Sequence, residues 1–169
     1  MRRQIILVGC MGCGKSSVGK ALSKELQFEL VDMDALIEDE EGRSISNIFK
    51  EEGEPYFRRL EVNLLQRVLK RKEDLVISVG GGLPITIDNQ ECLKSQKGVI
   101  YLKATVDTLW ERVKGNTRRP LLQTANPKEK IASLLEEREE IYQMVANYIV
   151  ETDGKSVKGI CEEIKRRIQ

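Results

Sequence analysis

The sequence predicts an open α/β fold, in which a sheet of parallel strands carries helices on both faces. Three short apolar runs, at 5–8, 76–79 and 99–102, lie next to glycine and have the continuous hydrophobicity of strands buried on both sides. Two weaker strands are expected at 28–31 and 148–150. Helical segments separate these runs, and this alternation is typical of the α/β class.

The helical segments are assigned from apolar spacing and from glycine and proline positions. They are expected at 15–27, 34–52 with a break, 54–72, 88–96, 106–115, 127–146 and 155–168. One stretch interrupts the alternation, because residues 114–126 are polar, contain Gly115 and Pro120, and carry two arginines. We expect this stretch to be either a surface connection or a mobile lid.

The composition fits one folded domain that spans residues 1–169. The 28 basic and 27 acidic side chains leave a net charge of +1, so charge alone favours neither nucleic acid nor a membrane surface. No apolar run approaches the roughly 18 residues of a membrane span. We therefore expect a cytoplasmic protein with small-molecule partners, and a monomer, since no exposed apolar stripe requires an oligomer.

Histidine is absent, and this excludes imidazole bases and histidine-ligated metal sites. Cys10 and Cys13 form a C-x-x-C pair, but they lie in a glycine-rich turn without the second pair that a zinc site needs. Any chemistry is therefore expected to use carboxylates, lysine, arginine, hydroxyls and backbone groups.

The segment from Gly9 to Ser16 matches the phosphate-binding pattern G-x-x-x-x-G-K-[ST] and lies between a predicted strand and a predicted helix. In this arrangement the backbone N–H groups and the helix N-terminus surround the phosphates. Lys15 is expected to reach the β- and γ-phosphates, and the Ser16 hydroxyl to bind Mg²⁺. The alternative is an ordinary glycine turn before a helix.

The acceptor of the phosphoryl group is less directly indicated. The N-K-x-D motif that reads guanine in small GTPases is absent. A kinase of a small acceptor needs a second pocket beside the γ-phosphate, and the sequence offers residues of several kinds for it.

Asp32 and Asp34 follow the second predicted strand, at the sheet edge where ligands of open α/β folds bind. If the segment stays extended, both carboxylates point to the same side. One could then hold Mg²⁺ while the other accepts a hydrogen bond from an acceptor hydroxyl. The alternative is that either carboxylate caps the following helix.

Two arginines occupy positions that favour burial. Arg138 lies in the apolar stripe of the helix at 127–146, and a buried guanidinium needs an anion, either a structural glutamate or a bound carboxylate or phosphate. Arg58 shares a helical row with apolar residues and is expected to be half-buried, with an i, i+3 pair to Glu61 as the alternative to ligand binding.

Backbone and loop residues complete the predicted site. Gly80, Gly81 and Gly82 end a central strand and allow a ligand to approach the backbone closely. Arg118 and Arg119 lie in the irregular stretch, where a lid arginine could neutralise charge on the transferring phosphoryl group. The alternative is a solvated basic pair.

Together these motifs resemble the shikimate kinase family, in an order that covers residues 5 to about 153. The resemblance implies ATP-dependent phosphorylation of the shikimate 3-hydroxyl, the fifth step of chorismate synthesis. It also implies a P-loop, nucleoside-monophosphate-kinase-like fold, a three-layer α/β/α structure with five parallel strands in the order 2-3-1-4-5. The residues that carry the resemblance are those from Gly9 to Ser17, Asp32 to Asp34, Glu54 to Glu61, Ser78 to Gly82, Arg119 to Leu122, and Arg138 with Tyr142.

The resemblance also assigns roles by position. The substrate-binding helical segment is expected at about 33–61. Shikimate is expected to contact Asp34, Arg58, Gly80, Gly81, Gly82 and Arg138. ATP is expected to contact Gly12, Cys13, Gly14, Lys15, Ser16, Ser17, Arg112 against adenine, and Arg119. Ser16 and Asp32 are expected to serve Mg²⁺, and Lys15, Asp34 and Arg119 to be catalytic.

The chain departs from the family pattern after Arg138, where Glu139-Glu140-Ile141-Tyr142 replaces the usual segment ending in Pro-Leu-Tyr. Three rival functions remain at this point. They are a gluconate kinase, a nucleoside-monophosphate kinase, and an inactive P-loop protein that binds a ligand or partner.

Overall fold

A computed structural model describes residues 3–116 and 122–169, and five parallel strands form its sheet. The strands are β1 (Gln4–Val8), β2 (Glu29–Asp32), β3 (Leu75–Ser78), β4 (Val99–Lys103) and β5 (Tyr148–Glu151). Their order is β2-β3-β1-β4-β5, so the predicted 2-3-1-4-5 order is confirmed. The predicted strands differ from the observed ones by about one residue at their ends.

The helices cover both faces of the sheet. They are α1 (Lys15–Leu26), α2 (Met33–Glu41), α3 (Ile45–Glu52), α4 (Glu54–Leu69), α5 (Ile87–Lys94), α6 (Val106–Val113), α7 (Pro127–Val145) and α8 (Val157–Ile168), with a 3₁₀ turn at Leu83–Ile85. Helices α1 and α8 pack against each other, whereas α7 packs against β4, α5 and α6. The predicted break within 34–52 lies at Gly42, whose φ of +66° ends α2 in the left-handed region.

The strands are buried because helices cover both of their faces. Residues 5–8 of β1 are at most 3% exposed, and every residue of β3 is buried. Gly19 of α1 faces Leu30 and Leu7, and a Cβ atom at Gly19 would lie 3.3 Å from Leu30 Cδ1. This glycine therefore allows α1 to pack closely on the sheet and fixes the start of α1 next to the end of β1.

Helix α7 is continuous through the position where the sequence departs from the family pattern. It runs from Pro127 to Val145 without a break at Glu140. Its buried face contains Ile131, Leu134, Leu135, Tyr142 and Val145, as the apolar stripe predicts. Arg138 is therefore held on a regular helix that faces the sheet.

In the part of the chain that the structure describes, no helix is long and apolar enough to cross a membrane. Arg118 and Arg119 belong to residues 117–121, which lie outside the described residues. The prediction of a lid at 114–126 and the predicted role of Arg119 therefore stay predictions.

Candidate active site

The glycine-rich loop joins the end of β1 to the start of α1. Gly9, Gly12 and Gly14 have φ angles of +149°, +80° and +102°, which side-chain-bearing residues rarely adopt. No side chain caps the N-terminus of α1, where Gly14 takes the N-cap position. The first N–H groups of this helix therefore point toward the loop, as phosphate binding requires.

Lys15 lies over this loop and interacts with it. Its Nζ donates hydrogen bonds to Gly9 O at 2.6 Å and to Cys10 O at 3.2 Å. Cys10 and Cys13 are buried free thiols, and burial raises the pKa of Cys10. The cysteine side chains thus fill space behind the loop, while its backbone and the lysine form the surface above it.

A cavity of about 480 Å³ opens over the loop and contains most of the predicted site. Its lining includes Lys15, Ser16 and Ser17 at the start of α1, together with Asp34 of α2 and Gly80 after β3. The predicted site residues that line the cavity are Gly12, Gly14, Lys15, Ser16, Ser17, Asp32, Asp34, Gly80, Gly81 and Arg112. The structure therefore brings the phosphate loop and the two aspartates together.

The two aspartates reach the same cavity by a route that differs from the prediction. The extended segment ends at Asp32, and Asp34 lies in the first turn of α2, so the assumption of one extended segment was wrong. Asp32 caps α2 through a 3.1 Å hydrogen bond from Ala35 N to Oδ1. The capping alternative is thus observed for Asp32, although its carboxylate also lines the cavity.

Asp34 is a carboxyl group with a perturbed pKa in the cavity. Burial raises its pKa above the ordinary aspartate value, and the negative charge of Asp32 adds to this shift, while Lys15 opposes it. A carboxyl group whose pKa is raised accepts a proton more readily at neutral pH.

Arg58 forms two ion pairs within α4. Its Nη1 lies 2.6 Å from Glu61 Oε1, and its Nη2 lies 3.0 Å from Glu54 Oε1. The expected half-burial is observed, with 17% of the side chain exposed, while Glu61 is 1% exposed. The i, i+3 pair that served as the alternative is therefore present, and it is a buried pair.

The sequence analysis treated Glu61 only as a partner of Arg58 and missed its place in the site. Burial raises the pKa of Glu61 to about 7, and the neighbouring Asp34 acts in the same direction, while Arg58 and Arg138 oppose the shift. The sequence signal for the burial of Glu61 was its position three residues after a half-buried arginine. The proximity of Glu61 to Asp34 depends on how α2 and α4 pack, which the sequence does not show.

The three glycines bring these side chains together. A Cβ atom at Gly80 would lie 2.7 Å from Asp34 Oδ1 and 3.2 Å from Glu61 Oε2. A Cβ atom at Gly82 would overlap the Arg58 guanidinium. None of the three has a positive φ, so close approach explains the glycines.

Arg138 points from α7 toward the same glycines. Its Nη1 would lie 3.7 Å from a Cβ atom at Gly81. Among residues 3–116 and 122–169 no acidic oxygen lies within ion-pair distance of this guanidinium, and its buried Nε has no hydrogen-bond partner there. Of the two alternatives for its anion, a paired structural glutamate is not observed in these residues.

Arg112 joins the phosphate loop to the segment after β5. Its Nη1 donates to Gly12 O, Cys13 O and Thr152 Oγ1, and its Nη2 donates to Thr152 O, at 3.1–3.2 Å. Hydrogen-bond donors of a guanidinium lie in its plane, so stacking of a base uses its face instead. The contacts to the loop carbonyls were not predicted from the sequence.

The arrangement has the ligand types that Mg²⁺ uses in phosphoryl transfer. Such sites combine one or two carboxylates with substrate phosphates and water, so they need no cage of protein ligands. Ser16 and Asp32 line one cavity and supply a hydroxyl and a carboxylate. Within the described ranges no group of three or more acidic or cysteine side chains could hold a metal alone.

Comparisons with known proteins identify the family of the chain. The shikimate kinase family model matches residues 11–169. A shikimate kinase of Persephonella marina is 47% identical over 167 residues and covers 99% of both chains. One from Legionella pneumophila strain Corby is 43% identical over 162 residues, which are 96% of this chain and 92% of that one.

Solved structures give the same relationship. The structure of a shikimate kinase from Acinetobacter baumannii in complex with shikimate has a TM-score of 0.93 and 38% identity, covering 99% of this chain and 93% of that one. A gluconokinase from Sinorhizobium meliloti shares the fold, with a TM-score of 0.63 and 18% identity over 99% and 93% of the two chains. The match over nearly the whole length, at this identity, shows that the chain belongs to the shikimate kinase family.

Proposed function

We propose that this protein transfers the γ-phosphoryl group of ATP to the 3-hydroxyl of shikimate, giving shikimate 3-phosphate and ADP. The observation that carries the choice of acceptor is Arg138, whose guanidinium has no ion pair within the described residues and lies beside Gly81. Within the same ranges, the backbone N–H groups of Gly80, Gly81 and Gly82 donate no hydrogen bond. A guanidinium without an ion pair in the described residues and unused amides together suit a carboxylate ligand.

Each site residue has a physical role in this proposal. Arg138, Arg58 and the amides of 80–82 bind the shikimate carboxylate and its neighbouring hydroxyls. Asp34 accepts a hydrogen bond from the reacting hydroxyl and takes its proton, for which its raised pKa suits it. Because the transition state is loose, orienting the hydroxyl matters more than strong basicity.

The phosphate side is built by the loop and its flanking residues. Gly12, Cys13, Gly14, Ser16 and Ser17 surround the phosphates with backbone and hydroxyl groups, and Lys15 moves from the loop carbonyls to the β- and γ-phosphates. Arg112 packs against adenine. The role of Arg119 is proposed from the sequence alone. Its guanidinium would neutralise charge on the transferred phosphoryl group.

Ser16 and Asp32 would hold Mg²⁺ through a hydroxyl and a carboxylate in the same cavity. When bound, Mg²⁺ would neutralise charge on the β- and γ-phosphates. The same proposal includes a monomer that works in the cytoplasm within aromatic amino acid biosynthesis, with residues 114–126 as a lid.

A panel of acceptors tests the function. Purified protein is assayed with ATP and Mg²⁺ against shikimate, gluconate, AMP and CMP, with ADP release as the readout. We expect turnover with shikimate at least about 10³-fold above the others, because buried polar groups left unpaired by the wrong acceptor discriminate strongly. Turnover with another acceptor and none with shikimate would contradict the proposal.

Asp34→Asn tests the chemical role within that function. The amide keeps the size of the side chain but cannot take a proton, so kcat should fall by about 10²–10⁴. Wild-type turnover in this variant would show that Asp34 is not the base. The matched control is Asp39→Asn, which removes an exposed carboxylate from the same helix.

A further inference from the structure

The hydroxyl of Tyr142 connects α7 to the three glycines. It donates a 2.6 Å hydrogen bond to Gly81 O, and the tyrosine is 1% exposed. Gly81 lines the cavity, and Tyr142 lies one helical turn after Arg138. The bond therefore joins the helix that carries the free arginine to the backbone that carries the unused amides.

Packing alone does not account for this hydroxyl. The Tyr142 ring packs against Tyr101 with ring centroids 5.2 Å apart, and both side chains are fully buried. Tyr101 also has a buried hydroxyl, but that hydroxyl has no hydrogen-bond partner in the described residues. The two rings thus share an environment in which only the Tyr142 hydroxyl contacts the site.

Arg138 reaches the same glycine from one helical turn before Tyr142, because its Nη1 would lie 3.7 Å from a Cβ atom at Gly81. The positive charge of Arg138 lowers the pKa of Tyr142, against the larger raising effect of burial. The Tyr142 hydroxyl and the Arg138 guanidinium therefore both approach the main chain at Gly81.

The hydrogen bond from Tyr142 to Gly81 O also fixes the direction of the Gly82 N–H. In a planar trans peptide the carbonyl of Gly81 and the N–H of Gly82 point in opposite directions. With the carbonyl held toward α7, the Gly82 N–H points away from Tyr142. A glycine has many backbone conformations available, so without this bond the amides of 80–82 would be less well ordered.

We propose that Tyr142 is a positioning residue for acceptor binding, which orients the Gly81–Gly82 peptide beside the Arg138 guanidinium. The inference rests on the proposed function, in which these groups bind the shikimate carboxylate. Tyr142 itself does not touch the substrate in this arrangement. Its contribution is preorganisation, which lowers the entropic cost of binding.

The test compares Tyr142→Phe with Tyr101→Phe. Both variants lose one buried hydroxyl from the same ring pair, but only the first loses the bond to Gly81. For Tyr142→Phe we expect the KM for shikimate to rise about five- to tenfold, the size expected for one hydrogen bond. The KM for ATP should change less than twofold. The fold-change in kcat should be smaller than the fold-change in the KM for shikimate. For Tyr101→Phe all three constants should stay within about twofold of wild type, the change expected when no hydrogen bond is lost.

Two further measurements separate the outcomes. Thermal unfolding of both variants reports on structure, and ¹⁵N NMR spectra report on the Gly81 and Gly82 amides without requiring activity. A lower melting temperature for Tyr142→Phe with an unchanged KM for shikimate would overturn the proposal, as would equal KM changes in the two variants. If wild-type protein does not phosphorylate shikimate, the proposed function fails. In that case, glycine amide shifts in Tyr142→Phe but not in Tyr101→Phe would still support the positioning role, and their absence would reject it.

Discussion

Glu61 accepts a 2.6 Å hydrogen bond from Arg58 while its own side chain is 1% exposed. The pair thus brings a carboxylate into a buried place beside Asp34 and the glycines. Burial penalises the ionised form of Glu61 more than Arg58 and Arg138 stabilise it, and its pKa is raised to about 7. The proposed acceptor site therefore contains a carboxyl group that titrates near neutral pH.

The buried Arg58–Glu61 pair predicts how the free energy of unfolding depends on pH. The pKa of Glu61 rises from 4.5 to about 7 on folding, so between these values the native state holds the proton more tightly. The stabilisation is fully present below pH 4.5 and is lost as the pH rises through about 7. In Glu61→Gln the free energy of unfolding should fall less steeply over this range, by up to about 1.4 kcal/mol per pH unit.

Urea unfolding at several pH values measures this slope. Glu54→Gln is the control, because Glu54 also pairs with Arg58 but is 59% exposed. We expect its slope to match wild type. Identical slopes for wild type and Glu61→Gln would show that Glu61 does not carry the linkage.

Gly82→Ala should displace Arg58. Gly82 has ordinary φ and ψ values of −92° and −5°, so alanine adds no backbone strain, but its Cβ would overlap the guanidinium. We expect the KM for shikimate to rise about tenfold or more, which corresponds to at least about 1.4 kcal/mol, while the KM for ATP stays near wild type. Steady-state kinetics with each substrate varied in turn measures both constants.

Gly159→Ala in α8 controls for the loss of a glycine. This position lies outside the cavity, so neither KM should change. An unchanged KM for shikimate in Gly82→Ala would mean that Arg58 tolerates displacement or does not contact the acceptor.

Arg112→Ala should affect nucleotide binding selectively. The change removes hydrogen bonds to Gly12 O, Cys13 O and Thr152, and bonds made by a charged donor contribute about 1.5–3 kcal/mol each. We expect the KM for ATP to rise about tenfold or more with a smaller effect on the KM for shikimate. Isothermal calorimetry with ADP gives an independent measure.

The comparison variant is Arg166→Ala, which removes an exposed arginine from the last turn of α8. The affinity of the Arg166→Ala variant for ADP should equal that of wild type. Equal loss of affinity for both substrates in Arg112→Ala would indicate a general loss of structure instead.

Two substitutions at Asp32 separate its capping of α2 from its proposed binding of Mg²⁺. Asp32→Asn keeps an oxygen that can accept the bond from Ala35 N, whereas Asp32→Ala removes the cap and should cost about 1 kcal/mol of stability. Both variants lose the charge, so both should need more Mg²⁺ for half-maximal activity. Thermal unfolding and Mg²⁺ titration of the rate measure the two effects. A normal Mg²⁺ requirement in Asp32→Asn would leave Asp32 with the capping role alone.

The fold was predictable because its signals are local. Continuous apolar runs such as that at 5–8 identified the strands to within about one residue, and the stripe around Arg138 identified the buried face of α7. The strand order came from resemblance, since no local pattern specifies which strands become neighbours. The extended segment assumed to include Asp34 ends at Asp32 instead, because the Asp32 side chain caps α2, which was the alternative left open by the sequence.

The site was predictable in composition and less so in its contacts. Lys15, Asp34 and Gly80 belong to motifs, and the cavity brings them together. The bonds from Arg112 to the loop carbonyls, the bond from Tyr142 to Gly81, and the approach of Glu61 and Asp34 to Gly80 join residues far apart in the chain. Such contacts depend on how the helices pack on the sheet, so a single sequence contains no direct signal for them.

The main-chain surface at Gly80 and Gly82 has a consequence for engineering the acceptor specificity. Neither position has room for a side chain, because Asp34 and Arg58 already occupy the space that a Cβ would need. Libraries randomised at these two codons should therefore yield mostly inactive clones. Variants that accept a different alcohol should instead arise from substitutions on α2 and α4, whose side chains can change size without displacing the backbone.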